Sequence, residues 1–263
     1  MAGGRALVSY VAPFLVWIGF IFVFEAAAAV GSPLPKSFAP VAYAAKSAIC
    51  LVLLALLKPW NAYRGEARPG AAAGAGNALR DAAWGLGVGI LAAFLWIFPE
   101  TPFFFRHFGP LCEAYHRWLI MPLGAFPEYF SPQAFPTVPA GASGLAFSPQ
   151  ACGLPLALAR LAGSAFVIAV AEEYFFRGFL YRWLCDRKWA AAPLAVYEAQ
   201  AFWTVVAVFA FEHDRWFMGG VAGILYGALA IRTGGLRAPI IAHVTTNFVL
   251  GLYVLATGQF GFW

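Results

Sequence analysis

Three ionisable residues stand where a long apolar run gives them no ordinary place: Glu172, Glu173 and Arg177, in Ala-Glu-Glu-Tyr-Phe-Phe-Arg-Gly. Charge at the middle of a membrane span costs about 2.5 kcal/mol or more per residue, so such groups point to function. On a helix, Glu173 and Arg177 are four positions apart with the acid first, the order that favours an intrahelical ion pair. Glu172 is turned about 100° from Glu173 and lacks that partner. A carboxyl group so placed in an apolar cavity can trade a proton with water near neutral pH, as a general base must.

Two further segments carry polar groups into apolar surroundings. Phe209-Ala-Phe-Glu-His213 ends one apolar run, and His243-Val-Thr-Thr-Asn247 lies inside another. His243 and Asn247, four apart, share one helix face. A carboxylate, two histidines and an amide could together deprotonate a water and stabilise a tetrahedral oxyanion. Zinc is the alternative reading, with Glu172, His213 and His243 as ligands; Asn is a poor zinc ligand and suits the oxyanion better. Each residue alone has a plainer reading. A single His in a membrane helix usually packs through a hydrogen bond, a Glu pair can line a proton or ion path, and Asn247 can tie helix to helix. Three such segments in one chain weigh against packing alone.

The elements that must position these groups are membrane spans. The chain has 263 residues, 62% hydrophobic and 11% charged, against roughly 25% charged in soluble domains. With about 20 apolar residues needed to cross the hydrocarbon, spans are expected near 7–30, 38–57, 79–98, 156–182, 195–213, 217–232 and 238–257. They end at Gly31 to Pro35, Lys58-Pro59, Pro99, Pro193 and Gly234-Gly235. The expected fold is all-α, a polytopic transmembrane bundle of about seven to eight helices with a polar intramembrane cavity. Residues 1–98 form N-terminal helices, 99–154 an outer segment and 155–263 the core that carries the polar groups. The first run is too long for a signal-peptide core and reads as an uncleaved helix. The Ala/Gly tract at 70–76 makes 58–78 read as a flexible loop.

Lys and Arg set the orientation. With the N-terminus in the cytoplasm, ten lie inside (Arg5, Lys58, Arg64, Arg68, Arg80, Arg182, Arg187, Lys188, Arg232, Arg237) and four outside (Lys36, Arg106, Arg117, Arg215). The net charge of +5 therefore reads as topology and not as a nucleic-acid footprint. The outer segment mixes aromatics, Arg106, Glu113, Arg117 and prolines between Phe103 and Phe130. It reads as an interfacial or re-entrant piece, with an eighth span as the other option. Cys112 and Cys152 share that segment and could form a disulfide; equally, all four cysteines could be buried thiols.

Taken in order, Glu172-Glu173-x-x-x-Arg177, Phe209-x-x-x-His213 and His243-x-x-x-Asn247 resemble the motifs of the CAAX-protease and bacteriocin-processing family of intramembrane proteases, over roughly 155–255. The resemblance implies a helical fold with a water-filled cavity opening to cytosol and lipid. It implies that Glu172 activates water with His213 assisting, that His243 and Asn247 form the oxyanion hole, and that Glu173, Arg177 and Phe209 support the site. It leaves zinc open. The implied partners are membrane lipid and a membrane-associated or lipidated protein substrate. Ser9-Tyr10-Val11-Ala12-Pro13-Phe14 resembles, more faintly, the branch found beside bacterial exosortase systems. The Ala/Gly/Arg-rich composition fits a bacterial source, and so an inner (plasma) membrane location. A non-catalytic carrier, immunity or assembly partner on the same scaffold is the alternative.

Three expectations concern geometry. A fifth span of 195–213 is about 28 Å long, which would strand His213 at its outer end, far from Glu172. Starting that span later, with Glu198 and Gln200 in the interface and Asp214-Arg215-Trp216 sheltered by protein, draws His213 inward. Gly219, Gly223 and Gly227, and likewise Gly85 and Gly89, are small residues at helical spacing that let a neighbouring helix approach. Lys46, about 12 Å into span two, suggests an ion pair with Glu25, or else a part in substrate binding.

Overall fold

The computed structural model describes residues 2–29, 36–62, 75–120 and 142–263. Its main helices are α1 (Ala2–Ala29), α2 (Ala39–Leu57), α3 (Ala75–Ile97), α4 (Leu154–Cys185), α5 (Ala199–Phe211), α6 (Trp216–Thr233) and α7 (Arg237–Thr257). All but α5 are long and apolar enough to cross a membrane. The described residues contain no strand.

Helix α5 begins four residues later than the apolar run suggests. Glu198 caps it, its carboxylate accepting from the backbone N–H of Gln200 (3.3 Å) and Ala201 (2.6 Å), which satisfies donors a helix start leaves open. At 13 residues it is about 20 Å long, short of a full crossing.

Helix α4 alternates in winding. Gly163–Ile168 and Tyr174–Tyr181 are π-helical and flank the α-helical Ala169–Glu173. Such wide turns are rare and concentrate at functional sites. They sit on either side of the two glutamates.

Glycines set the helix spacings. A Cβ on Gly89 would lie 2.5 Å from the Ala242 carbonyl oxygen, and one on Gly85 would lie 2.7 Å from Ile241. Helix α7 therefore lies directly on α3. Gly219, Gly223 and Gly227 face Ala210, Phe209 and Phe202 at 3.1, 3.3 and 2.8 Å in the same sense, so α5 lies in the groove of α6. Helix α1 closes over α4: Phe14 stacks on Phe175 (4.2 Å between ring centres), and Tyr10 meets Tyr174 edge-on.

The outer segment is short helices, Phe98–Glu100, Pro102–His107 and Gly109–Trp118, and the described residues include no eighth span. Residues 121–141 lie outside the described ones. Of the expected loop at 58–78, Pro59–Ala62 forms a helical turn and Ala75 already begins α3; 63–74 lie outside the described residues. All four cysteines are free thiols, so Cys112 and Cys152 are unbridged. Lys46 rests 4.0 Å above the Trp17 ring, and its expected pairing with Glu25 lies outside the described residues.

Candidate active site

Glu173 is the buried anchor of the site. Arg177 donates from Nη1 to its Oε1 at 2.8 Å, one helical turn away as the sequence suggests. Arg177 also donates from Nη2 to the Gly223 carbonyl at 3.2 Å. That approach needs the bare backbone of α6. The guanidinium lies 4.5 Å from the ring of Phe209, so Phe209 is the platform on which the cation is laid.

Across the interface, His243 on α7 turns Nδ1 to the same Glu173 Oε1 at 3.0 Å. Its ring stacks on Tyr226, 4.8 Å between centres. Behind it, Tyr226 donates to Thr246 at 2.7 Å, and the Thr246 hydroxyl lies within 3.0 Å of the carbonyls of Gly89 and Ala242. The imidazole is thus fixed by α4, α6 and α7 together. Its Nε2 is left to the cavity, 3.4 Å from Glu172 Oε2. Glu172, 6% exposed, points away from the Arg177 pair as its offset on the helix requires.

His213 follows the end of α5. Its Nδ1 hydrogen-bonds the Phe209 carbonyl at 2.8 Å, so with the proton there Nε2 is bare. The ring stands 4.9 Å from Phe209 and 5.4 Å, edge-on, from Trp96. The late start of α5 has brought it inward. The chain after it is sheltered: Arg215 makes a two-pronged ion pair with Glu100 (Nη2 to Oε2, 2.8 Å), and Trp216 donates to the Trp118 carbonyl at 3.1 Å.

Asn247 lies one turn beyond His243. It donates from Nδ2 to the Ser164 carbonyl at 2.9 Å, inside the first π-helical stretch. An amide nitrogen has two hydrogens, so one remains for another acceptor.

Glu172, His213, His243 and Asn247 all line one cavity of about 500 Å³, with Phe209 and Tyr226 in its wall. Glu212 lines it too. Sequence reasoning gives it no role, although it adjoins His213 and its charge in an apolar helix end is the available signal. Lys46 and Arg160 line the opposite part. Trp96, Phe262 and Trp263 line it as well. Among the described residues no three His, Cys, Asp or Glu side chains form a group that could hold a metal ion.

No curated protein and no solved structure matches the chain. Residues 154–249 match the family described as type II CAAX prenyl endopeptidase Rce1-like. That description names no exosortase-linked branch. The matched stretch spans every polar residue from Glu172 to Asn247 set out above.

Proposed function

We propose that this protein is an intramembrane endopeptidase that hydrolyses a peptide bond of a membrane-associated or lipidated protein, with Glu172 as general base. The observation that carries the reading is the pair of contacts made by His243: Nδ1 on the buried Glu173 and Nε2 beside Glu172, in the wall of a cavity.

The steps follow from the groups. Glu172 takes a proton from the attacking water while the hydroxide oxygen bonds to the scissile carbonyl carbon. His213, held through Nδ1, offers Nε2 to the same water. The carbonyl electrons move to oxygen, and that oxyanion accepts from the free Asn247 N–H, with the His243 ring beside it as the other wall of the oxyanion hole. Glu172 then passes its proton to the departing amine nitrogen as the C–N bond breaks. Glu173, Arg177 and Phe209 hold the frame and touch no reacting atom.

The Lys and Arg asymmetry supports a cytoplasmic N-terminus. In that orientation Trp96 and Trp263, which line the cavity, stand at the outer end of the bundle. The membrane is taken to be a bacterial inner membrane.

The test is cleavage of prenylated and transmembrane C-terminal peptides in liposomes by wild type and Glu172→Gln, each with and without a chelator. Wild type should cleave, and Glu172→Gln should be slower by about 10²–10⁴-fold, the usual worth of a general base. Equal activity of the two would sink the assignment. Loss of wild-type activity on chelation would overturn the metal-free route. If neither cleaves any peptide while Glu172→Gln supports growth as wild type does, a non-catalytic partner role replaces this reading.

A further inference from the structure

Two cations share the cavity with the catalytic groups, and the mechanism above uses neither. Lys46, on α2, is 7% exposed. Its Nζ lies 4.0 Å from the Trp17 ring centre and 4.9 Å from that of Tyr43. Arg160, on α4, places its guanidinium 4.2 Å from the same Tyr43 ring and 5.0 Å from Phe147. Its Nε is buried with no hydrogen-bond partner. Among the described residues neither cation forms an ion pair. A buried cation such as Lys46 is costly and normally paired, and Arg160, though half-buried, keeps its Nε out of water. Aromatic faces return only part of that cost. Two like charges about one tyrosine ring repel each other as well. The arrangement is unfavourable empty and favourable with an anion between the two.

The same cavity holds two carboxylates, Glu172 and Glu212, beside the two cations, so it offers both a water-activating acid and groups that attract an anion. A bound peptide with its scissile carbonyl at Glu172 extends past Ile168 and Ser164, which also line the cavity. Tyr43 packs on Gly163, nine residues before Glu172, or about 14 Å along a helix. An extended chain spans that in about four residues.

We propose that Lys46 and Arg160 form a carboxylate-binding subsite that seats a carboxylate of the substrate, the chain terminus or an acidic side chain, about four residues beyond the cleaved bond. The assignment rests on the endopeptidase reading for the identity of the ligand, while its test does not require turnover. Arg160 supplies a planar two-pronged donor suited to a carboxylate, and Lys46 adds a point charge.

The experiment uses full-length Glu172→Gln protein in phosphatidylcholine nanodiscs, which present no anionic headgroup. Three fluorescent S-farnesylated heptapeptides are titrated: one with a free C-terminal carboxylate, its C-terminal amide, and the amide with a glutamate as its last residue. The free carboxylate should bind at least tenfold tighter than the plain amide. Tight binding of the glutamate amide as well assigns the subsite to either source of carboxylate; weak binding assigns it to the chain terminus. In Lys46→Met and Arg160→Met, added singly, the free carboxylate should fall toward the amide while the amide is unchanged. Equal binding of all three peptides by Glu172→Gln protein overturns the proposal, and that comparison needs neither cation variant to fold. So does a carboxylate preference that survives both methionine substitutions. Failure of wild type to cleave would count against the endopeptidase reading alone, because binding is read separately.

Discussion

His243 meets Glu173 through Nδ1 at 3.0 Å, and this one contact decides which nitrogen faces the cavity. Glu173 Oε1 also takes the Arg177 bond at 2.8 Å, so one carboxylate both orients the imidazole and neutralises a buried cation. Glu173→Gln keeps the shape and removes the charge. Partners that orient a functional histidine are typically worth about 10–100-fold, and turnover should fall by about that much, in kcat more than KM. Removing one partner of a buried pair costs about 3–5 kcal/mol, so the melting temperature in detergent should fall too. Rescue of stability but not of kcat in Glu173→Gln/Arg177→Met would separate the two roles. An unchanged kcat in the single variant would show that His243 is oriented by other means.

The α3–α7 contact behind His243 sets a second expectation. Gly89→Ala drives a methyl to within 2.5 Å of a backbone oxygen that cannot retreat alone. Overpacking of this kind costs about 1–3 kcal/mol, and the shift would pass through Thr246, which contacts Gly89, to Tyr226 and the imidazole. Gly87, where an added Cβ would meet no atom within 4 Å, is the control. Gly87→Ala should be neutral or slightly stabilising, since Gly is a poor helix former. Thermal unfolding of the two variants checks this, and equal effects would mean that the helices do not lie this close.

Much of this site is legible in the sequence because the bilayer makes charge conspicuous. Glu172, Glu173 and Arg177 stand out against their run, and helical spacing alone pairs the last two correctly. The glycine stripes are readable for the same reason, since a row of missing side chains is a shape. What sequence does not give is proximity between distant segments. Lys46 and Arg160 are on different helices and meet at Tyr43, a contact that no spacing along the chain announces. The later start of α5, by contrast, is legible, because Glu198 and Gln200 interrupt the apolar run and Glu198 caps the helix. The π-helical turns leave no mark, because a widened turn keeps nearly the same apolar pattern as an ordinary one.

Orientation can be read without activity. With the N-terminus in the cytoplasm and α7 running outward, Trp263 lies outside. Alkaline phosphatase fused after Trp263 should be active in a bacterial host, and green fluorescent protein fused there should stay dark. The opposite pair of results would invert the bundle.

The strap around His213 is a third structural dependency. Arg215 joins Glu100, donates to the Gly261 carbonyl at 3.2 Å and lies 4.5 Å from the Phe262 ring. It therefore ties the α5–α6 connection to the outer segment and to the C-terminal turn, two residues from His213. Glu100→Gln leaves a buried guanidinium without its carboxylate, at a cost of about 3–5 kcal/mol. Unfolding should occur at lower temperature, and kcat should fall because His213 loses its fixed depth. The charge swap Glu100→Arg/Arg215→Glu should recover part of both. A swap that recovers stability alone would show that His213 is positioned by α5 and Trp96 and not by the strap.

The same corner gives a pH dependence, through His116. It is buried at 4% exposure on the Gly109–Trp118 helix, and burial holds its imidazole below the ordinary 6.5, against the pull of Glu100 and with the repulsion of Arg215 adding to the effect. The folded protein thus binds this proton less readily than the unfolded chain. Between the folded value and 6.5 the unfolded state carries more protons, so stability rises with pH in that window. The contribution is complete above about 6.5 and is lost progressively as the medium is acidified through it. Scanning fluorimetry in detergent from pH 8 to pH 5 should show the melting temperature falling on the acid side. His116→Gln, which cannot titrate, should flatten that part of the profile while leaving the catalytic groups untouched. A slope that persists unchanged in His116→Gln would assign the acid sensitivity to carboxylates elsewhere.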